Sequence, residues 1–158
     1  MGTHIRGGRG RKQVLDEHLE LRELLKELQG FLQSPRPEVG EMGSHTWAAE
    51  LAKKLTHLHD KLFLHFRNEE SSGVFEDIKD QHPWAADKVD EMVAQHPEIL
   101  EELRKLVYST LTYSQGNRPR DPRMRTRLEK LIRLLSHHEE QETDLIVCLR
   151  NEELGEVD

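Results

Sequence analysis

Six residues of only two chemical kinds interrupt the apolar stripes of this 158-residue chain: His18, His65 with Glu69, His96, and His138 with Glu142. In each His-x-x-x-Glu pair the i,i+4 spacing stacks ring and carboxylate on one helix face, so both aim at the same part of the core. Four imidazoles and two carboxylates buried without partners would be very costly, whereas a bound cation offsets that cost and turns the groups into ligands. Six donors exceed what one tetrahedral zinc takes, and two carboxylates among imidazoles suit a bridged pair of metals. Carboxylate-bridged non-haem di-iron fits best, with manganese or zinc able to substitute in a His/Glu site. If each glutamate bridges, each histidine ligates once and a water-derived oxo or hydroxo group bridges too, about ten of twelve positions around two six-coordinate irons are filled. Roughly two remain for O2, peroxide, NO or water.

The elements that must position these residues are helices. Leucine supplies 23 residues, more than Val, Ile and Thr combined, and it is mixed with Glu, Lys, Arg and Gln, which lose little rotamer freedom in a helix. Four segments carry the helical period. The first runs Leu15, His18, Leu21 or Arg22, Leu25, Leu28, Leu32 and stops at Ser34-Pro35-Arg36-Pro37. The second has Ser44 or Thr46 as N-cap and the stripe Trp47, Leu51, Leu55, Leu58, Leu62, His65, Glu69, with Gly73 ending or bending it. The third opens near His82-Pro83-Trp84, runs Val89, Met92, His96, Ile99 or Leu100, Leu103, Leu106, and closes at Gln115-Gly116-Asn117. The fourth starts at Asp121-Pro122 and runs Met124, Leu128, Leu131, Leu135, His138, Glu142, Leu145, Leu149. Short connections between such helices make an all-α, antiparallel up-down-up-down four-helix bundle over residues 13–153. Measured from one end of that bundle, the four histidines lie ~15 to 19 residues deep, or roughly 23 to 28 Å, which places them in one slab of the core.

Composition narrows the setting. Leu, Ile, Val and Phe number 40 of 158, enough for a folded core in one domain. Residues 1–12 hold four glycines without apolar periodicity and read as a disordered tail. The longest apolar run, Leu145 to Leu149, is far short of the ~20 residues that cross a bilayer, so neither a membrane span nor a signal peptide is expected. The single cysteine, Cys148, excludes an intrachain disulfide and a thiolate-rich zinc site; it reads as semi-buried and fits a reducing, cytoplasmic setting. A net charge of −7 argues against nucleic acid as partner and leaves any protein partner undefined. His57 and His59 read as surface groups, His137 as a rim residue, and His4, His45 and His82 as exposed. Glu70 reads as solvent-facing, with orientation of a ligand histidine as its minor role. Trp47 and Trp84 stand too far along their helices to be more than packing residues, and the five arginines between Arg118 and Arg127 form a solvated loop and helix start.

In order along the chain, Glu17-His18 with Leu21, Leu24, Leu25 and Leu28 behind it, His65-Phe-Arg-Asn-Glu69-Glu70, His96-Pro-Glu-Ile-Leu and His138-Glu-Glu-Gln-Glu142 resemble the hemerythrin-like HHE cation-binding domains over about residues 13 to 150. The resemblance implies a non-haem di-iron centre in which Glu69 and Glu142 bridge and His18, His65, His96 and His138 are terminal ligands. It implies a small diatomic or peroxide as ligand, for sensing, storage, or detoxification or oxidation; an enzyme of this kind would be a peroxidase- or oxidase-like oxidoreductase, and no separate catalytic residue is evident. Two departures stand out. Oxygen-carrying hemerythrins have a second histidine on the third helix, where this chain has Met92 and Leu100 flanking His96, which disfavours a reversible O2 carrier. Pro97 removes a backbone donor beside His96 and should kink that helix at the ligand position. Two rival readings are a histidine phosphotransfer bundle, which needs one exposed histidine, and a metal-free interaction bundle.

Overall fold

The computed structural model describes residues 4–35, 37 and 43–155, with side chains from Gly10 to Cys148. Its elements are α1 (His4–Gln33), α2 (Ser44–Ser71), α3 (Val74–Gln81), a single 3-10 turn (Pro83–Ala85), α4 (Ala86–Ser114) and α5 (Met124–Gly155). Among the described residues there is no strand, and no helix is long and apolar enough to cross a membrane. The four long helices pack in the cyclic order α1, α2, α4, α5, with α2 against α4 the most extensive pairing. Joined by short connections, they run alternately up and down, so the expected four-helix bundle is present.

The breaks fall where backbone chemistry requires them. Proline-rich sequence follows α1, and glycines with positive φ flank the other junctions: Gly43 (φ 95°) before α2, Gly73 (φ 83°) before α3 and Gly116 (φ 75°) after α4. Gly43, not Ser44 or Thr46, is therefore the N-cap of α2. Ser44 is instead buried, with its hydroxyl accepting a hydrogen bond from the Tyr113 hydroxyl at 3.2 Å. Asp121-Pro122 forms a turn just ahead of α5 rather than its first residues, and the Asp121 carboxylate accepts from the Arg123 N–H at 2.8 Å. Pro97 cannot donate to the Val93 carbonyl, yet α4 continues through it in one run and His96 keeps its inward position.

Two features depart from the periodicity reading. First, α1 extends back to His4 across residues expected to be a tail, while residues 1–3 lie outside the described part. The glycine at position 10 has a packing reason, since a Cβ there would meet Val74 Cγ2 at 3.1 Å: a bare backbone lets α1 approach the start of α3. Second, the break at Gly73 opens α3, an extra helix whose Val74, Phe75 and Ile78 are buried.

The core is stratified. On one side lies a large cluster built from leucines of all four long helices together with Phe66, Ile99, Ile132 and Met124. On the other lies a smaller one of Val14, Val74, Phe75, Ile78, Ala85, Val89, Met92 and Ile146. Between them each long helix contributes polar residues: His18 between Val14 and Leu21, His65 and Glu69 between Leu62 and Val74, His96 between Met92 and Ile99, and His138, Glu139 and Glu142 between Leu135 and Ile146. With α3 closing the smaller cluster, the polar layer is sealed between two apolar ones.

Candidate metal centre

All six residues singled out by spacing converge. His18, His65, Glu69, His96, His138 and Glu142 are each at most 3 % exposed, although they come from four different helices. His18 Nε2 lies 3.1 Å from Glu69 Oε1 and 3.2 Å from Glu142 Oε2, and His65 Nε2 also contacts Glu69 Oε1. Across the layer, His96 Nε2 lies 3.3 Å from Glu69 Oε2 and 3.1 Å from Glu142 Oε1, and His138 Nε2 contacts that same Glu142 oxygen. Each carboxylate thus contacts three imidazoles and divides its two oxygens between the His18/His65 side and the His96/His138 side.

The outer ring nitrogens are held by groups that the spacing did not reveal. Glu17 Oε2 lies 2.6 Å from His65 Nδ1, and Glu17 Oε1 accepts from the Asn68 amide at 2.9 Å. Gln95 Oε1 lies 2.8 Å from His138 Nδ1, and Thr143 Oγ1 lies 2.8 Å from His18 Nδ1. A carboxylate or amide oxygen accepts the Nδ1 proton, which leaves the Nε2 lone pair pointing inward as a ligand; this is the usual arrangement around a metal-bound histidine. For His96 the nearest such group is Glu70, exposed and 3.6 Å from Nδ1, too long for a hydrogen bond. Phe66 stacks on the His96 ring instead, with centroids 3.9 Å apart and planes 7° from parallel, and lies in a T-shaped contact with His138.

A seventh polar side chain joins the layer. Glu139 is buried, and its Oε2 lies 2.8 Å from His18 Nε2 and 3.5 Å from His65 Nε2. Strict 4,3 spacing gives the inward position to His138 and turns Glu139 away. The buried arc of α5 is wide enough for both, and by the same drift Ile146 rather than Leu145 is buried below Glu142.

Without metal, protons must balance this layer. Burial would lower the His18 value, but Glu139, Glu142 and Glu69 override it and push it up to about 11. His65 is likewise pushed up to about 12 against burial by Glu139, Glu17 and Glu69, and His96 to about 9 by Glu142 and Glu69. Burial and the neighbouring Glu142 carboxylate raise Glu69, whereas Glu142 is held well below its ordinary range because its contacts with Glu69, His138, His18 and His96 outweigh burial. The protons do not complete the arrangement. His65 Nε2, His138 Nε2, Glu69 Oε2 and Glu139 Oε2 meet their buried neighbours only as ion-pair contacts without hydrogen-bond alignment, and Glu139 Oε1 has no partner. Buried polar atoms left so are rare in a folded core, and a cation in their midst satisfies them together. The donor atoms of His18, His65, Glu69, Glu139 and Glu142 lie within 4.8 Å of one another, as do those of His96, His138 and Glu142, so each group could hold a cation and Glu142 belongs to both.

The remaining candidates are placed elsewhere. His57, His137 and His45 are exposed, His59 and His82 are half-buried, and the side chain of His4 lies outside the described residues. Cys148 is exposed, not semi-buried, because the inward register after Glu142 passes to Ile146. Trp47 packs partly buried against the large core, but Trp84 is exposed, set outward by the turn ahead of α4. Arg127 in the arginine-rich stretch pairs with Glu102 at 2.9 Å and Asp121 at 3.2 Å.

Residues 9–149 match the family model described as Hemerythrin HHE cation binding domain. No curated protein and no solved structure matched the chain.

Proposed function

This chain belongs to the hemerythrin HHE cation-binding family, and on that footing we propose that His18, His65, Glu69, His96, His138 and Glu142 hold two non-haem irons in a centre that binds or reacts with O2, peroxide or NO. The observation that carries this reading is the division of each carboxylate. Glu69 offers Oε1 to His18 and His65 and Oε2 to His96, while Glu142 offers Oε2 to His18 and Oε1 to His96 and His138. A single cation would gather such donors toward one point, whereas a pair spanned by two carboxylates needs this alternation. Iron supplies accessible one-electron redox change and coordination positions open to a small ligand.

The chain's own residues supply position, dryness and tautomer. Glu17, Gln95 and Thr143 set the outer nitrogens of three rings. The two apolar layers and the stacked Phe66 keep bulk water from the donors. Met92 is fully buried one turn before His96 and offers no nitrogen, which points to sensing, storage or detoxification rather than reversible carriage. The burial of His18, His65, His96 and His138 together, two of them with a buried glutamate at i+4, favours the metal reading over a phosphotransfer role.

The test is metal content together with an optical spectrum, taken on protein purified from iron-supplemented cells before and after air or peroxide. About two irons per chain, with near-ultraviolet bands that change on reduction, are expected. A folded protein that stays metal-free and refuses added iron(II) would overturn the proposal.

A further inference from the structure

Glu139 follows His138 in the chain, yet its carboxylate reaches the opposite pair of rings. Its Oε2 sits 2.8 Å from His18 Nε2 and 3.5 Å from His65 Nε2 as ion-pair contacts, and its Oε1 has no hydrogen-bond partner although the residue is only 8 % exposed. Once those two rings turn their Nε2 lone pairs to a metal, a carboxylate buried against them needs that metal as its counter-charge. Its other side faces a cleft of about 200 Å³ between α1 and α5, lined by Arg22, Leu25, Lys26, Ser136 and Glu140, with His18 and Glu139 at its inner end. The larger cavity, about 520 Å³ between α1 and α2, meets His65 on the side where Glu17 and Asn68 also line the wall, so it does not compete as a route to the inner nitrogens.

We propose that Glu139 is a third carboxylate ligand, belonging to the His18/His65 half of the centre and closing that half against the α1–α5 cleft. This rests on the two-metal reading above. The donors are then unequal. The His18/His65 half has two imidazoles and one oxygen from each of Glu69, Glu142 and Glu139, whereas the His96/His138 half has two imidazoles and one oxygen from each of Glu69 and Glu142. An exogenous ligand therefore finds its open position at the His96/His138 metal. A small anion entering by the cleft, past Arg22 and Lys26, meets Glu139 before it meets metal.

The experiment compares the iron-loaded full chain with Glu139→Ala and Glu139→Gln, using iron content, Mössbauer spectra and an optical titration with azide. The wild type should hold about two irons in inequivalent environments, and in the variants the inequivalence should shrink while iron is retained about 10- to 100-fold more weakly at one position. Azide should bind at least about tenfold more tightly to Glu139→Ala, or at a second equivalent, because the cleft now leads to an open position. Glu139→Gln keeps the side-chain volume and decides the matter should the alanine variant fail to fold. Unchanged Mössbauer parameters and azide binding in a variant holding about two irons would overturn the assignment of Glu139 alone. A wild type that binds no iron would instead sink the two-metal reading and this inference with it.

Discussion

Replacing His65 by leucine separates a metal centre from a merely structural polar layer. The ring lies against Glu17 through Nδ1 at 2.6 Å and against Glu69 and Glu139 through Nε2, and in the metal-free protein these carboxylates overcome burial and hold its proton up to about pH 12. Leucine removes that cation and leaves the carboxylates facing an apolar side chain. Breaking a buried ion pair from one side costs about 3–5 kcal/mol, whereas replacing both partners by apolar groups is often neutral or stabilising. At about 2–4 °C per kcal/mol for a chain of this size, metal-free His65→Leu should melt about 6–20 °C below the wild type. The double variant His65→Leu/Glu69→Leu should recover part of that loss. Iron(II) at a hundredfold excess over its dissociation constant should add about 2.7 kcal/mol per site to the wild type and nothing comparable to either variant. Anaerobic thermal unfolding followed by circular dichroism, with and without iron(II) and with metal content of the same samples, measures every term. A wild type whose melting ignores iron(II), alongside a single leucine variant at least as stable, would refute the reasoning and leave an ordinary interaction bundle.

Three further outcomes follow from the same geometry. The metal-free protein should lose stability as pH rises from about 7 to 9: His18, His65 and His96 have folded values raised above the ordinary 6.5, so their contribution is complete below that value and each group can cost up to about 1.4 kcal/mol per pH unit as it fades. Unfolding of the metal-loaded form, whose imidazoles are already neutral, should show no such slope, and a metal-free profile that is flat or rises over this range would contradict the argument. Glu17→Gln keeps an acceptor beside His65 but removes its charge, and should weaken iron binding about 10- to 100-fold in a chelator competition while leaving the helical content intact. Phe66→Ala removes the ring stacked on His96 and should cost about 3–5 kcal/mol in urea unfolding, with faster iron loss to a chelator; a change below about 1 kcal/mol would mean the stack is not part of the core's support.

How far the fold was legible follows from which interactions are local. The four long helices were readable because leucines three and four apart define a face, and because Pro35, Pro37 and Gly116 break the backbone where that face stops. The short helix α3 was not read: eight residues give barely two turns of periodicity, although Val74, Phe75 and Ile78 already sketched its apolar side. The backward extension of α1 was illegible for a different reason. Gly10 in a helix is disfavoured by propensity, and only the close approach of Val74 from another element makes it suitable.

The centre shows the same division more sharply. Six of its residues could be found because a polar group on an otherwise apolar stripe is conspicuous, and because equal depth on antiparallel helices brings such groups together. The groups that hold those residues could not. Glu17 serves His65 across 48 positions, Gln95 serves His138 across 43, and Thr143 serves His18 across 125, separations for which no helical spacing rule exists. Glu139 was hidden by the opposite circumstance, since it is adjacent to His138 and was turned outward by a period slightly too short for a helix. Spacing along one helix therefore finds donors that a single stripe presents, while the asymmetry between the two halves arises from neighbouring positions on one helix serving rings on opposite sides of the layer. His138 faces Glu142 and the His96 side, and Glu139, one residue later and about 100° around, faces His18 and His65. A repeat of His-x-x-x-Glu on two helices looks symmetric in sequence, and it is this one adjacent carboxylate that gives the folded centre unequal halves.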